Sequence, residues 1–165
     1  MRRPVKTKRT WVADPVYNSI AVTRFVNNLM RDGKKSKAQK IFYQALDHIK
    51  TKNDQDGFKI FQEALKNVSP VMKVMPRRIG GATYLVPRVV RNEERFTTAV
   101  KWLIQAARSR TGQPMYSRLA DELIAAAKHE GVAVKKKEDS HKLAEVNRAF
   151  AHYAWWGRKR STHST

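Results

Sequence analysis

One short segment of the chain, RRIGGATY, combines residue types that suit contact with RNA. Gly80 and Gly81 supply the positive φ angles that the centre of a tight hairpin turn needs. Arg77 and Arg78 precede this turn, and Tyr84 follows it. Guanidinium groups donate paired hydrogen bonds to phosphate oxygens, and aromatic rings stack on nucleobases. The segment therefore predicts a nucleic-acid contact on a β-hairpin.

The same turn fixes which residues face each other across the predicted hairpin. It places Arg78 opposite Thr83 and Arg77 opposite Tyr84, where the cation would contact the aromatic ring. A two-stranded hairpin is only marginally stable alone. We therefore expect an isolated arm, at about residues 71–91, that a partner orders and whose apolar side chains that partner covers.

Lysines cluster at a second predicted site, the turn between the first two helices. Lys34, Lys35 and Lys37 surround Ser36, which is expected to cap the second helix. The first amides of a helix have no intrahelical acceptor, so together with mobile cations they suit a phosphate group. A solvated lysine run without a ligand is the alternative interpretation.

Further cations flank the loop after the fourth predicted helix and precede the sixth. Arg108, Arg110 and Arg118 bracket the loop, although the first two would also favour a helix C-terminus without any ligand. Lys135 and Lys136 carry the same ambiguity. Both groups are candidate phosphate contacts.

The residue types that catalysis needs do not converge in this sequence. The histidines lack metal-ligand spacings such as HExxH. Asp121 and Glu122 are adjacent on a predicted helix, so their carboxylates cannot face each other. No phosphate-binding Gly-Lys-Ser/Thr motif follows the glycine pair. We therefore expect no enzymatic activity, no metal, no cofactor and no small-molecule substrate.

The net charge indicates a polyanionic partner. Thirty-four Lys and Arg against fourteen Asp and Glu give a charge of +20 and a pI of about 10.6. Nucleic acid is the commonest polyanion that would relieve such self-repulsion. The cations are spread along the whole chain rather than along one amphipathic helix, which disfavours a membrane surface. An architectural protein that binds DNA without a preferred site is the alternative.

Length and composition indicate the class of protein and its compartment. A chain of 165 residues, 41% of them hydrophobic, is expected to form one domain with a substantial core. No apolar run reaches the roughly 18 residues that cross a bilayer. The absence of cysteine fits a reducing compartment. The N-terminus does not read as a secretory signal, so we expect a cytoplasmic protein, with an organelle protein as the alternative.

Apolar spacing predicts six helices. Asp14 and Pro15 are expected to begin the first helix, with Ile20 on its buried face, and Gly33 to end it. Asn92 is expected to cap the fourth helix.

The sixth helix is expected to begin late. Residues 135–137 lead into Asp139 as its cap, and Leu143, Val146 and Phe150 recur at helical spacing as its buried face.

The predicted fold is mainly α, a six-helix bundle with a protruding two-stranded β-hairpin arm. Residues 13–153 form the bundle with its hairpin, residues 1–12 a basic N-terminal arm, and residues 154–165 a basic tail. The tail holds two tryptophans, Trp155 and Trp156, for which core packing, a protein contact and stacking on a base are alternative interpretations.

Four stretches resemble the bacterial-type small-subunit ribosomal protein S-seven family. They are residues 14–36, which end in DGKKS; the RRIGGATY arm with Val86 and Pro87; and residues 136–139 and 149–153, which read KKED and AFAHY. The likeness is collinear over residues 12–153. Pro76, Leu85 and Ala154 depart from the pattern, and the last residues extend past the usual end of the family.

This resemblance implies a helical bundle that binds the 3′ major domain of small-subunit ribosomal RNA and nucleates assembly of the subunit head. With the clusters above, it implies ribosomal RNA contacts for Arg2, Arg3, Lys6, Lys8, Arg9, Lys34, Lys35, Lys37, Arg77, Arg88, Arg91, Arg108, Arg110, Arg118, Lys135 and Lys136. The residues implied to lie near exit-site transfer RNA and messenger RNA are Arg78, Ile79, Gly80, Gly81, Ala82, Thr83 and Tyr84. Contacts with neighbouring proteins of the head and platform are implied for Phe150, His152, Tyr153, Trp155 and Trp156.

Overall fold

This computed structural model describes residues 10–154 of the chain. They form helices and one antiparallel hairpin, joined by turns and loops. The elements in chain order are α1 Ile20–Leu29, α2 Lys35–Asn53, α3 Gly57–Val68, β1 Met72–Ile79, β2 Ala82–Val89, α4 Asn92–Ser109, α5 Met115–Ala127, α6 Val132–Val146 and a C-terminal 3-10 helix, Arg148–Ala154. The predicted six-helix bundle with a two-stranded hairpin is confirmed.

Helix α5 lies at the centre of the bundle, packed against α2, α3 and α4. Its apolar residues recur every three or four positions, and Leu119 and Leu123 are fully buried. Beside it, Phe25, Phe42 and Phe61 meet with ring centroids 5.2 Å apart, joining α1, α2 and α3. This core fixes the directions in which the connecting turns leave the bundle.

The first helix begins later than predicted. The Asp14 carboxylate accepts hydrogen bonds from the amides of Val16 and Tyr17, so it caps a single turn. Asn18 then has a φ of 44°, which interrupts the helical path, and α1 starts at Ile20. The expectation that Ile20 faces the core is wrong, since this side chain is 49% exposed.

Three predicted helix-end signals are displaced in the structure. Helix α1 ends at Leu29, and Gly33 lies in the following turn rather than at the helix end. Lys34 is the N-cap of α2, and Ser36 lies in its first turn without making a side-chain cap. Asn92 is the first residue of α4 and not its cap. For the first two, the positive φ angles of Asp32 and Gly33 place the turn between α1 and α2; the start of α4 differs by one residue, within the usual variation of helix ends.

The prediction for the sixth helix is wrong in both start and face. Gly131 has a φ of 95° and α6 follows it directly, so Asp139 lies in the middle of the helix. Residues 135–137 are therefore helical. Leu143 and Val146 are 47% and 81% exposed. The buried face consists of Ala133, Val134 and Ala144, because small side chains let α6 approach α4 and β1 closely.

The hairpin has the predicted register but is not isolated. Arg77 pairs with Tyr84 and Arg78 with Thr83. Strand β1 packs on α6, and β2 packs on the C-terminal 3-10 helix. Val86 is only 2% exposed as a result. The chain itself covers much of the surface that we expected a partner to cover.

No helix among residues 10–154 combines the length and the apolar character needed to cross a membrane.

Candidate nucleic-acid interface

Two turns that are far apart in sequence meet and enclose a cleft of about 370 Å³. One turn joins α1 to α2, and the other joins α4 to α5. Five cationic residues from the two turns and the adjoining helices line this cleft: Arg31, Lys34, Lys37, Arg108 and Arg118. We call these residues and the space between them the cationic cleft.

The backbone of the first turn holds its cations at the start of α2. Asp32 and Gly33 have φ angles of 51° and 71°, which turn the chain sharply. The amide of Lys34 donates to the carbonyl of Arg31 over 3.0 Å, and the amide of Lys35 donates to that of Gly33 over 2.8 Å. The next amides of α2, those of Ser36 and Lys37, have no intrahelical acceptor because of their position, so they can donate to an anion at the positive end of the helix.

Arginines from the second turn bond to backbone carbonyls. Nη2 of Arg108 donates to the carbonyl of Leu29 over 3.1 Å, which joins the end of α4 to the end of α1. Nη1 of Arg118 donates to the carbonyl of Arg110. Burial, followed by the nearby Arg31 charge, lowers the pKa of Arg108. The crowding of positive charge favours binding of an anion.

None of the described residues that line the cationic cleft is acidic. The two acids that follow the second turn most closely in sequence are occupied elsewhere: Asp121 pairs with Lys52, and Glu122 is fully buried. Its Oε2 accepts hydrogen bonds from Nε and Nη2 of Arg110, over 3.2 and 2.8 Å. Arg110 thus forms an ion pair within the protein, and its contact with RNA stays a prediction.

A second group of cations lies at the base of the hairpin. Arg77, Arg88 and Arg91 line a space of about 360 Å³ together with Met75, Val86 and Ala154. Nη1 of Arg77 donates to the carbonyl of Tyr153 over 3.2 Å. The structure therefore brings together three arginines that were predicted to bind RNA. They come from β1, from β2 and from the residue that precedes α4.

The tip of the hairpin is exposed, whereas its tyrosine is partly covered. Gly80 and Gly81 have φ angles of 57° and 89°, as the predicted turn requires. The ring of Tyr84 lies 5.3 Å from the rings of both Phe150 and Tyr153, measured between centroids. Arg78, Ala82 and Thr83 are exposed, and Ile79 is half-buried.

The remaining candidates lie on other surfaces. Lys135 is exposed early in α6, and Nζ of Lys136 donates to Oε1 of Gln105 over 2.8 Å. Lys35 is exposed in the first turn of α2 without lining the cationic cleft. His152 lies on the 3-10 helix, where Nδ1 is 2.8 Å from the carbonyl of Ala149. Their functional assignments stay predictions.

Comparison with known proteins agrees with a ribosomal interpretation of these basic surfaces. The model of the family described as ribosomal protein S7p/S5e matches residues 1–148. The chain belongs to this family. The predicted resemblance to small-subunit ribosomal protein S-seven is confirmed, and the family is one of structural ribosomal proteins rather than enzymes.

Curated relatives match nearly the full chain. A protein of Caldanaerobacter subterraneus named small ribosomal subunit protein uS7 is 53% identical over 148 residues, which cover 90% of this chain and 95% of the relative. Proteins of the same name from Fervidobacterium nodosum and Thermotoga petrophila are each 50% identical over 155 residues, covering 94% of this chain and 100% of each relative. The S7p/S5e chain is thus a ribosomal protein of the small subunit, whose partners are ribosomal RNA and other ribosomal proteins.

The sequence analysis missed two arginines, one that lines the cationic cleft and one that lies over aromatic rings. Arg31 lines the cationic cleft, but its place beside Asp32 and Gly33 suggested only a helix end. The Arg24 guanidinium carbon lies 4.3 Å from the ring centroid of Phe96 and 5.7 Å from that of Trp11. No local signal identified either arginine, since α1 ends at Leu29 and helical spacing does not extend to Arg31.

Several candidates fall outside the described residues. They are Arg2, Arg3, Lys6, Lys8, Arg9, Trp155 and Trp156. Within residues 10–154, no group of three or more histidines and acids is arranged to hold a metal ion.

Proposed function

We propose that this S7p/S5e protein binds the 3′ major domain of small-subunit ribosomal RNA directly and nucleates assembly of the subunit head in a bacterial cytoplasm. The observation that carries the proposal is the cationic cleft, where five cations and the start of α2 converge without an acidic residue among the described lining. Such a surface neutralises several phosphates at fixed positions and so selects a folded RNA shape.

A salt-resolved binding titration tests this proposal. The 3′ major domain RNA is compared with duplex DNA of equal length. Neutralising about six to ten phosphates predicts that affinity falls by roughly 10³–10⁵ between about 50 and 200 mM salt, with the RNA bound more tightly throughout. Equal affinities that fall together with salt would instead favour an architectural DNA-binding protein.

A matched pair of charge variants assigns the binding to the cationic cleft. Lys34→Gln with Lys37→Gln should reduce the slope of log affinity against log salt by about 1 to 2. Lys59→Gln with Lys66→Gln removes the same charge from exposed positions on α3 and should leave the slope near that of the wild type. If both pairs behave alike, only the overall charge matters and the site is misplaced.

The exposed hairpin tip supports a second part of the proposal, that residues 78–84 lie near exit-site transfer RNA and messenger RNA. Deletion of residues 78–83 should spare folding and head assembly, because the tip makes few contacts with the bundle, while weakening retention of exit-site transfer RNA. Reconstitution of subunits with the shortened protein measures both. A block in assembly would show that the tip binds ribosomal RNA instead.

A further inference from the structure

The cationic cleft has a floor that phosphate binding does not explain. Below its cations lie Leu29, Met30, Ala38, Ile41 and Met115. Leu29 and Ala38 are buried, whereas Met30, Ile41 and Met115 are half-buried and face the open space. A phosphate needs hydrogen-bond donors, and an aliphatic and thioether surface offers none.

Shape and chemistry suit a flat aromatic ligand that carries negative charge at its edge. The volume of about 370 Å³ falls within the range of about 300–1,000 Å³ that is typical of small-ligand sites. Methionine sulfur contacts aromatic rings favourably, and guanidinium groups stack on nucleobases. Arg108 and Arg118 are already held by backbone carbonyls, so little ordering is needed when a ligand enters.

We propose that the cationic cleft holds one unstacked RNA base on its apolar floor, with the flanking phosphates bound by the cationic rim. The inference rests on the proposed RNA-binding function and adds a base contact to its phosphate contacts. Sequence-specific RNA recognition commonly uses bases splayed out of single-stranded loops and bulges. The cleft thereby converts a contact that any polyanion would make into one that selects an RNA with a free base at this position.

The first test replaces an apolar floor residue without changing charge. Ile41→Gln places a polar amide under the base and should weaken binding of the 3′ major domain RNA by about tenfold, since the base loses apolar surface on which to be buried. The salt slope should stay at the wild-type value, because no phosphate contact is lost. Ile20→Gln is the matched control, the same substitution at a site 49% exposed and outside the cleft.

The second test uses the wild-type protein and does not depend on a variant that folds. Met30 and Met115 carry methyl groups at the cleft, and selective carbon-13 labelling makes them visible by NMR. Addition of the 3′ major domain RNA should shift both methyl resonances upfield through the ring current of a stacked base. Inorganic polyphosphate, a polyanion without bases, should bind the rim without that shift.

The outcomes separate this inference from the proposed function. One outcome is that the lysine variants lower RNA affinity, whereas Ile41→Gln and Ile20→Gln bind RNA equally well and RNA shifts the methyl resonances no more than polyphosphate does. The cleft then binds phosphate alone, and the proposed base site is wrong. If the RNA binds no better than duplex DNA, the proposed function itself is wrong. If RNA binds tightly and leaves both methyls unshifted, the floor is left for another partner and the proposal is overturned.

Discussion

Glu122 connects three parts of the fold through one buried carboxylate. Oε2 accepts two hydrogen bonds from Arg110, which follows α4. Oε1 accepts the amide of Ala133 over 3.1 Å, at the start of α6. At the adjoining Gly131 an added Cβ would lie 3.0 Å from Oε1, a tight contact, and the φ of 95° disfavours any other residue there. At the residue scale, this acid supports both the second turn of the cationic cleft and the position of α6.

Glu122→Ala should therefore destabilise the protein strongly. It leaves the Arg110 guanidinium, which is 39% exposed, and the buried Ala133 amide without their acceptor, and the free energy of unfolding should fall by about 2 kcal/mol. Urea unfolding measures the change. Asp121→Ala is the control: its partner Lys52 is exposed, so the expected loss is at most about 1 kcal/mol. Equal losses would refute the structural role of Glu122.

His141 makes the junction between α6 and the hairpin sensitive to acid. Its Nε2 accepts the amide of Val71 over 3.0 Å and faces that of Met72 at 3.5 Å. Burial, and next the Lys137 charge, lower the pKa of His141 from its ordinary value of 6.5. Above that value the neutral ring accepts these bonds in full. As pH falls from the unfolded-state pKa through the lower folded-state pKa, the unfolded chain binds the proton first and stability is lost.

His141→Gln keeps an acceptor but cannot titrate. The wild-type free energy of unfolding should decline with acid below about pH 6.5 more steeply than that of the variant. Denaturant unfolding at several pH values gives both curves. Parallel curves would mean that His141 does not couple to stability.

At the scale of elements, the hairpin and the C-terminal 3-10 helix form one packed unit. The Tyr84 ring contacts Phe150 and Tyr153, and Arg77 donates to the Tyr153 carbonyl. At the other end of the hairpin, Lys73 of β1 pairs with Glu94 of α4 and lowers its pKa, mainly through their hydrogen bond. The hairpin is thus held by α4, α6 and the 3-10 helix, while its exposed tip and the arginines at its base are left to a partner.

Tyr84→Ala should loosen this unit without unfolding the bundle. Hydrogen exchange should become faster in β2 and in the 3-10 helix, while amides of α5 keep their protection. Mass spectrometry of exchanged peptides resolves the regions. Thr83→Ala, at the exposed neighbouring position, should change exchange little. Unaltered exchange in the 3-10 helix of Tyr84→Ala would show that the aromatic contacts do not hold it.

At the scale of the whole molecule, a net charge of +20 opposes the folded state. Within residues 10–154 only three ion pairs join Lys or Arg to Asp or Glu, so attraction between charges does little to offset the repulsion. The cationic cleft concentrates this cost in one place, because its cations approach each other from separate helices. A bound polyanion removes the cost where it is greatest.

Added salt should consequently stabilise the isolated protein. Raising the salt concentration shortens the screening length from about 30 Å at about 0.01 M to about 8 Å at about 0.15 M, and the melting temperature should rise over that interval. Differential scanning calorimetry checks this, and sodium chloride avoids specific binding by phosphate. A falling melting temperature would mean that the few ion pairs outweigh the repulsion.

The local pattern was sufficient to predict elements whose stability depends on neighbours in sequence. The six helices expected from apolar spacing and the hairpin register set by Gly80 and Gly81 are confirmed, because periodicity and turn chemistry act over a few residues. The start of α6 was misjudged. Its buried face is made of alanine and valine, and a face so small is recognised only when the helix against which it packs is known.

By itself the sequence determined the mainly α fold, the hairpin and its tip, the excess of cations and the family to which the chain belongs. Only the tertiary structure decided that Arg31, Lys34 and Lys37 meet Arg108 and Arg118, some seventy residues or more away, over an apolar floor. It also decided that Arg110 is paired with Glu122 and that the hairpin rests on the C-terminal 3-10 helix. The reason is physical: local periodicity fixes which face of each helix is buried, whereas the packing of α5 among its neighbours fixes where the turns between helices converge.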